Sequence, residues 1–182
     1  MNIFYIDPDP IKAAEMHCDQ HCIKMILETG QMLSTAHRVL DGHKTKRPSV
    51  SGRTRVDYWV HPDTFKEKTL YKCAHVKHPS NIWIRESVYN YAWSRDLFNA
   101  LCREFVYRYG KVHATQERLG AIIQEPPKNI SLKNYSAPPQ CMPEEFKSDN
   151  TVEAYRKFYI EDKSSFARWN KVRPAPDWYA TC

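Results

Sequence analysis

The chain has 182 residues, enough for one domain with a sizeable core and too few for two comfortable ones, so residues 1–182 are read as a single domain. Lys and Arg number 27 against 21 Asp and Glu, a net charge of +6 beside 13% aromatic residues, which suits a polyanion with stackable bases such as DNA. No run of about 18 apolar residues occurs, which excludes a membrane-spanning helix.

The opening "MNIFYIDPDP" is apolar too briefly for a signal peptide, and "NIFYID" reads as a short extended lead-in. Asp9 and Pro10 then stand where an N-cap and first helical residue belong, and a first helix is expected from about residue 10 to residue 40, capped near Asp41 and Gly42. The stretch "GHKTKRPSVSGRTRVDYWVHPDTF" is basic and without a clear period, so it is expected to be a loop.

A second long helix is expected over 79–110, with Trp93, Leu97, Phe98, Leu101 and Phe105 as its apolar stripe. "TQERLGAIIQE" reads as a short third helix stopped by Pro126 and Pro127, with Leu119, Ile122 and Ile123 inward. The proline-rich segment down to Ser148 should wrap the surface as extended chain. Asn150 with Glu153 three residues on reads as a capping-box-like start for a last helix, on which Val152, Tyr155, Tyr159, Phe166 and Trp169 share a side. The fold class expected is all-α: a compact bundle of about four helices with long basic and proline-rich loops.

The six cysteines (Cys18, Cys22, Cys73, Cys102, Cys141 and Cys182) form no CxxC pair and no tight framework, so reduced thiols and a cytoplasmic setting are expected. There is no GxxxxGK[ST] or GxGxxG motif, which argues against nucleotide-driven phosphoryl transfer.

The informative stretch is residues 17–38, "HCDQHCIKMILETGQMLSTAHR". Cys18, Cys22, Met25, Ile26, Leu33 and Ala36 recur at helical spacing and read as core. His17, His21, Lys24, Glu28, Gln31, Thr35 and Arg38 recur at the same spacing and make a second, polar stripe, on which Glu28 is the only acid. A lone carboxylate between Lys24 and Arg38, with His21 two turns away, suits proton transfer or stabilisation of a developing cation. A metal reading competes: His17 and His21 are spaced i and i+4, with His61, His75 or His78 as possible third ligands.

"DQHCIKMILE" resembles the opening helix of the small all-helical pyrimidine-dimer DNA glycosylases of phages and related bacterial proteins. "HPSNIWIRESVYNYAW" and "RPAPDWY" resemble, more faintly, that family's second helix and its aromatic C-terminal segment. The resemblance implies Glu28 as the catalytic carboxylate and His21 as a contact to the substrate strand, with Gln31 and Arg38 at positions that are basic in the family. It implies a DNA partner and a flipped or damaged base, and no cofactor is expected. The family attacks the sugar C1′ with the amine of an N-terminal threonine. Here residue 2 is Asn2, which disfavours removal of Met1, so Lys24, the amine of Met1 or a water activated by Glu28 stand as alternatives.

Cleaving an N-glycosidic bond builds positive charge on the sugar, which a carboxylate stabilises. A flipped base needs aromatic partners, for which Trp83, Tyr89, Trp93, Trp178 and Tyr179 are candidates. Phosphates would be held by Lys44, Lys46, Arg47, Arg53 and Arg55, with His17, Gln31, Arg38 and Arg85 nearer the site. The function expected is thus a base-excising DNA glycosylase, with or without lyase activity, or a related enzyme that modifies DNA bases; the rival expectations are a metal-dependent nuclease or hydrolase using His17 and His21, and a non-catalytic nucleic-acid-binding phage protein.

Overall fold

The structure, a computed structural model, describes residues 1–180. Cys182 lies outside them. The first expected helix is two: α1 (Pro10–Met16), whose N-cap Asp9 accepts from the Ile11 N–H, and α2 (Asp19–Asp41). The break at His17 and Cys18 frees carbonyl groups, and Arg108 answers them by donating to His17 O at 2.9 Å and to Glu15 O at 2.9 Å. The apolar stripe of α2 is fully internal, with Cys18, Cys22, Met25, Ile26, Leu33 and Ala36 all buried.

The expectation of an all-α bundle of about four helices is overturned by the segment read as a loop. Residues His43–Pro48 (β1) and Arg55–Val60 (β2) form a two-stranded antiparallel hairpin, and eight α-helices are present among the described residues. The register pairs Lys44 with Trp59 and Lys46 with Asp57, so cations sit opposite an aromatic and an acid on one face. Gly52, at φ +70, lies in the connecting turn, where a residue without a Cβ meets no strain. The alternating "RVDYWV" and this glycine were the strand signals, and the run of Lys and Arg masked them.

A short helix α3 (Thr64–Thr69) follows the hairpin, capped by Asp63. The second expected helix is also two: α4 (Pro79–Glu86) and α5 (Val88–Tyr109), divided at Ser87, whose hydroxyl caps α5 by accepting from the Tyr89 N–H. Then come α6 (Ala114–Leu119) and a 3-10 turn at Ile122–Gln124, with Leu119, Ile122 and Ile123 buried. The proline-rich segment crosses the surface to α7 (Thr151–Asp162), where the Asn150 side chain accepts from Val152 and Glu153 N–H. Tyr155 and Tyr159 are buried there, but α7 ends before Phe166 and Trp169, which pack from the following turn. A last turn, α8, spans Asp177–Ala180.

The core lies where α1, α2 and α4 pack on α5. The lead-in threads this core rather than lying over it: Ile3, Phe4, Tyr5 and Ile6 are all buried. Phe4 takes a left-handed backbone (φ 52), and its ring lies 4.3 Å from that of His21. No described helix is long and apolar enough to cross a membrane.

Candidate active site

Threading the lead-in through the core brings the start of the chain onto the polar stripe of α2. The Met1 amine lies 3.7 Å from Glu28 Oε2, and the Asn2 N–H donates to the same oxygen at 3.2 Å. Lys24 Nζ lies 3.4 Å from Glu28 Oε1 and is 60% exposed, whereas the Glu28 side chain is 15% exposed. Asn2 is fixed on several sides: its amide donates to Cys141 O at 2.9 Å, and its carbonyl oxygen accepts from Tyr155 Oη at 2.8 Å. The amine therefore has one defined position.

The chain from 74 to 81 walls this position. Asn81 Nδ2 contacts Met1 Sδ at 3.1 Å and donates to Ala74 O at 2.9 Å, while its buried Oδ1 has no partner. His75 adopts a left-handed backbone (φ 47). The His78 imidazole caps α4 and is held below its ordinary pKa by burial first and then by the charge of the amine; Glu28 pulls it the other way.

His78 also belongs to two open cavities. One, about 580 Å³, is lined by Lys44, Trp59, His75, Lys77 and His78, and the other, about 690 Å³, by His78, Cys141, Met142 and Lys147. The two share His78, and Asp57, which pairs with Lys44, lines the first as well. Trp59, with Lys44 Nζ 5.3 Å from its ring centre, is an aromatic surface in that first cavity which the sequence reading did not single out. Its place opposite Lys44 becomes visible only with the hairpin register.

The other sequence candidates fall elsewhere. His21 is buried, packed against the Phe4 ring, and hydrogen-bonded through Nδ1 to Tyr159 Oη at 2.7 Å. Burial pushes its pKa down to about 2, with the charges of His17, Lys24 and Lys163 adding to the shift, so it is a neutral packing group and does not reach the surface. His17 is likewise internal, with Nδ1 on Ala13 O at 2.6 Å. Arg38 is 1% exposed and directs its donors to Glu67, Glu67 O, Leu70 O, Tyr71 O and Trp59 O, so it presents nothing to a phosphate. Gln31 lines a surface cavity beside Tyr71 and Arg118. Arg85 donates to Asn81 O and Val76 O, holding the wall of the site rather than lining either cavity.

On the hairpin, Lys44 and Lys46 pair with Asp57 at 2.8 and 2.9 Å, and Arg47 lies over the Tyr58 ring at 3.8 Å. Arg53 and Arg55 are exposed near the turn, with Arg55 donating to Lys46 O. Among the stacking candidates, Trp83 and Trp93 are core residues whose Nε1 groups donate to Ser136 O and Pro8 O. Tyr89 is exposed. Trp178 and Tyr179 are partly buried against Tyr159 and Trp169, on the aromatic cluster that also encloses His21. His17 and His21 belong to no group of three potential metal ligands among the described residues.

No family model matches the chain, and neither a curated protein nor a solved structure shows significant similarity to it.

Proposed function

We propose that this chain excises a base from DNA, with Glu28 as the catalytic carboxylate and the Met1 amine as the nucleophile. The observation that carries the reading is the amine 3.7 Å from Glu28 Oε2, with His78, on which the charges of both groups act, lining the cavity that holds Lys44, Trp59 and Lys77. Glu28 takes a proton from the ammonium, and the nitrogen lone pair forms a bond to the sugar C1′ as the base leaves with the electrons of the glycosidic bond. The positive charge that develops on the sugar is met by the carboxylate when its neutralising proton has passed on to the departing base. Opening of the C1′–O4′ bond leaves an imine at C1′ and a hydroxyl at C4′, and water later releases the enzyme. The cavity's lysines hold the backbone, and Trp59 offers a stacking surface for an unstacked base. Lys24, exposed and 3.4 Å from the other Glu28 oxygen, is the alternative amine.

Borohydride trapping on ultraviolet-irradiated DNA, DNA with modified pyrimidines and undamaged DNA tests the reading. The wild-type chain should give a covalent adduct and Glu28→Gln should give none while still binding DNA. Adding two residues ahead of Met1 should abolish the adduct, and Lys24→Ala should keep it. The reverse pattern moves the nucleophile to Lys24. Turnover without any adduct moves it to water, and wild-type turnover by Glu28→Gln leaves this surface as a binding site only.

A further inference from the structure

His37, Asp41 and His61 meet under the base of the hairpin. α2 sets His37 and Asp41 one turn apart on one face, and β2 ends at Val60, which delivers His61 to the same place. One donor atom from each residue lies within 4.8 Å of the other two. The fold leaves two nitrogens in this cluster unsatisfied: His37 Nδ1 and His61 Nε2 are both buried and have no hydrogen-bond partner. Buried polar atoms are nearly always paired, and two orphans in one cluster point to a missing ligand.

The neighbours prepare the cluster for a cation. Tyr91 Oη donates to Ile123 O at 3.0 Å, so at 2.8 Å it accepts from His37 Nε2, which leaves a free lone pair on His37 Nδ1. Asp41 accepts from Lys128 N–H at 2.9 Å and Asn129 N–H at 3.0 Å, which orient both oxygens and leave lone pairs over. The charge of Asp41 opposes that of Lys66, the other charged group acting on both histidines, and the C-terminal end of α2 favours a cation as well.

We propose that His37 Nδ1, Asp41 and His61 Nε2 bind one zinc-class divalent ion that fastens the hairpin to the end of α2. Two nitrogens and a carboxylate suit zinc, whereas calcium and magnesium take oxygen shells. Zinc bonds of about 2.0–2.2 Å set tetrahedral donors roughly 3.4 Å apart, so the ion draws the three side chains inward. His61 Nδ1 now accepts from Asp63 N–H at 3.1 Å. Ligation through Nε2 moves the ring proton to Nδ1, exchanging that bond for one to the metal with no net proton change. Glu28 lies on the order of 20 Å away along α2, so this site stands apart from the excision reading.

The test is titration of the chelator-treated full-length chain with Co²⁺ and then Zn²⁺. We expect about one Co²⁺ per chain with a tetrahedral visible band that Zn²⁺ bleaches. Zn²⁺ at a hundredfold excess over its Kd should raise Tm by roughly 5–10 °C. Asp41→Asn and His61→Gln should each weaken binding by at least tenfold, and His43→Ala, on the exposed hairpin, should bind as wild type. A wild-type chain with no stoichiometric Co²⁺ band and no gain in Tm overturns the proposal and leaves a bridging water in the cluster. Binding that survives in both ligand variants overturns it equally.

Discussion

Arg38 of α2 and Glu67 of α3 form an ion pair beneath the hairpin, in which the guanidinium is 1% exposed and the carboxylate 21%. Glu67 also accepts from Tyr58 Oη at 2.8 Å and from His61 N–H at 2.8 Å, so one carboxylate joins α2, α3 and the end of β2. Glu67→Ala leaves the Arg38 charge buried with only carbonyl partners and should lower stability by about 2–4 kcal/mol in urea unfolding. A loss under about 1 kcal/mol would mean that the carbonyl groups alone satisfy Arg38.

DNA affinity should depend on the Trp59 cavity rather than on α2. Lys44 and Lys77 line the same cavity as Trp59 and His78. Lys44→Ala with Lys77→Ala should flatten the dependence of log K on log salt by roughly 1.8 units, at about 0.9 for each phosphate that the variant leaves unneutralised. Arg38→Met, matched for stability, should leave the slope unchanged. A reversed result would place DNA on another face.

Most of the helical content was legible because spacing and caps are local: Asp9 and Asn150 each cap the helix that follows them, whereas Ser87, inside an unbroken apolar stripe, did not show as the cap of α5. The break at His17 was not legible, because what satisfies it is Arg108 from α5, 91 residues further along. The polar stripe of α2 was visible, but not its division. His21 and Arg38 lie under chain that folds over them from α7 and α3, whereas Lys24 stays exposed and Glu28 partly so. The amine beside Glu28 depends on the route of the lead-in through the core, which no periodicity encodes. His37 and Asp41 show the i, i+4 interval of a ligand pair on a helix, but His61 joins them only once the hairpin returns to α2.

Gly30 marks the closest approach on the inner side of α2. A Cβ there would stand 2.7 Å from Thr115 Cγ2 and 3.1 Å from Leu119 Cδ1 of α6, and 3.4 Å from Phe98 Cε2 of α5. Ala is intrinsically the better helix former by about 1 kcal/mol, but overpacking costs typically 1–3 kcal/mol, and these neighbours are themselves buried. Gly30→Ala should therefore lower Tm by a few degrees. A raised Tm would show that α6 shifts freely.

Acid should unfold the chain well above the carboxylate range, because three buried histidines are neutral in the fold. Burial lowers His17 to about 4, His21 to about 2 and His37 to about 3, from ordinary values near 6.5. The folded state thus binds fewer protons than the unfolded one between about pH 6.5 and pH 4, so stability is complete above 6.5 and falls as pH falls through that window. Each group contributes up to about 1.4 kcal/mol per pH unit, or roughly 4 kcal/mol per unit for the three together. The structural reason is specific at His21: Phe4, Tyr159 and Phe166 enclose its ring, and the charges of Lys24 and Lys163 oppose a further positive charge there. Urea titrations of the chelator-treated protein should show the midpoint falling steeply from pH 6.5 to pH 5, and His21→Phe should remove about a third of the slope once its own cost at pH 8 is subtracted. A midpoint flat over that range would mean that water reaches these rings and that the core around Phe4 and Tyr159 is open.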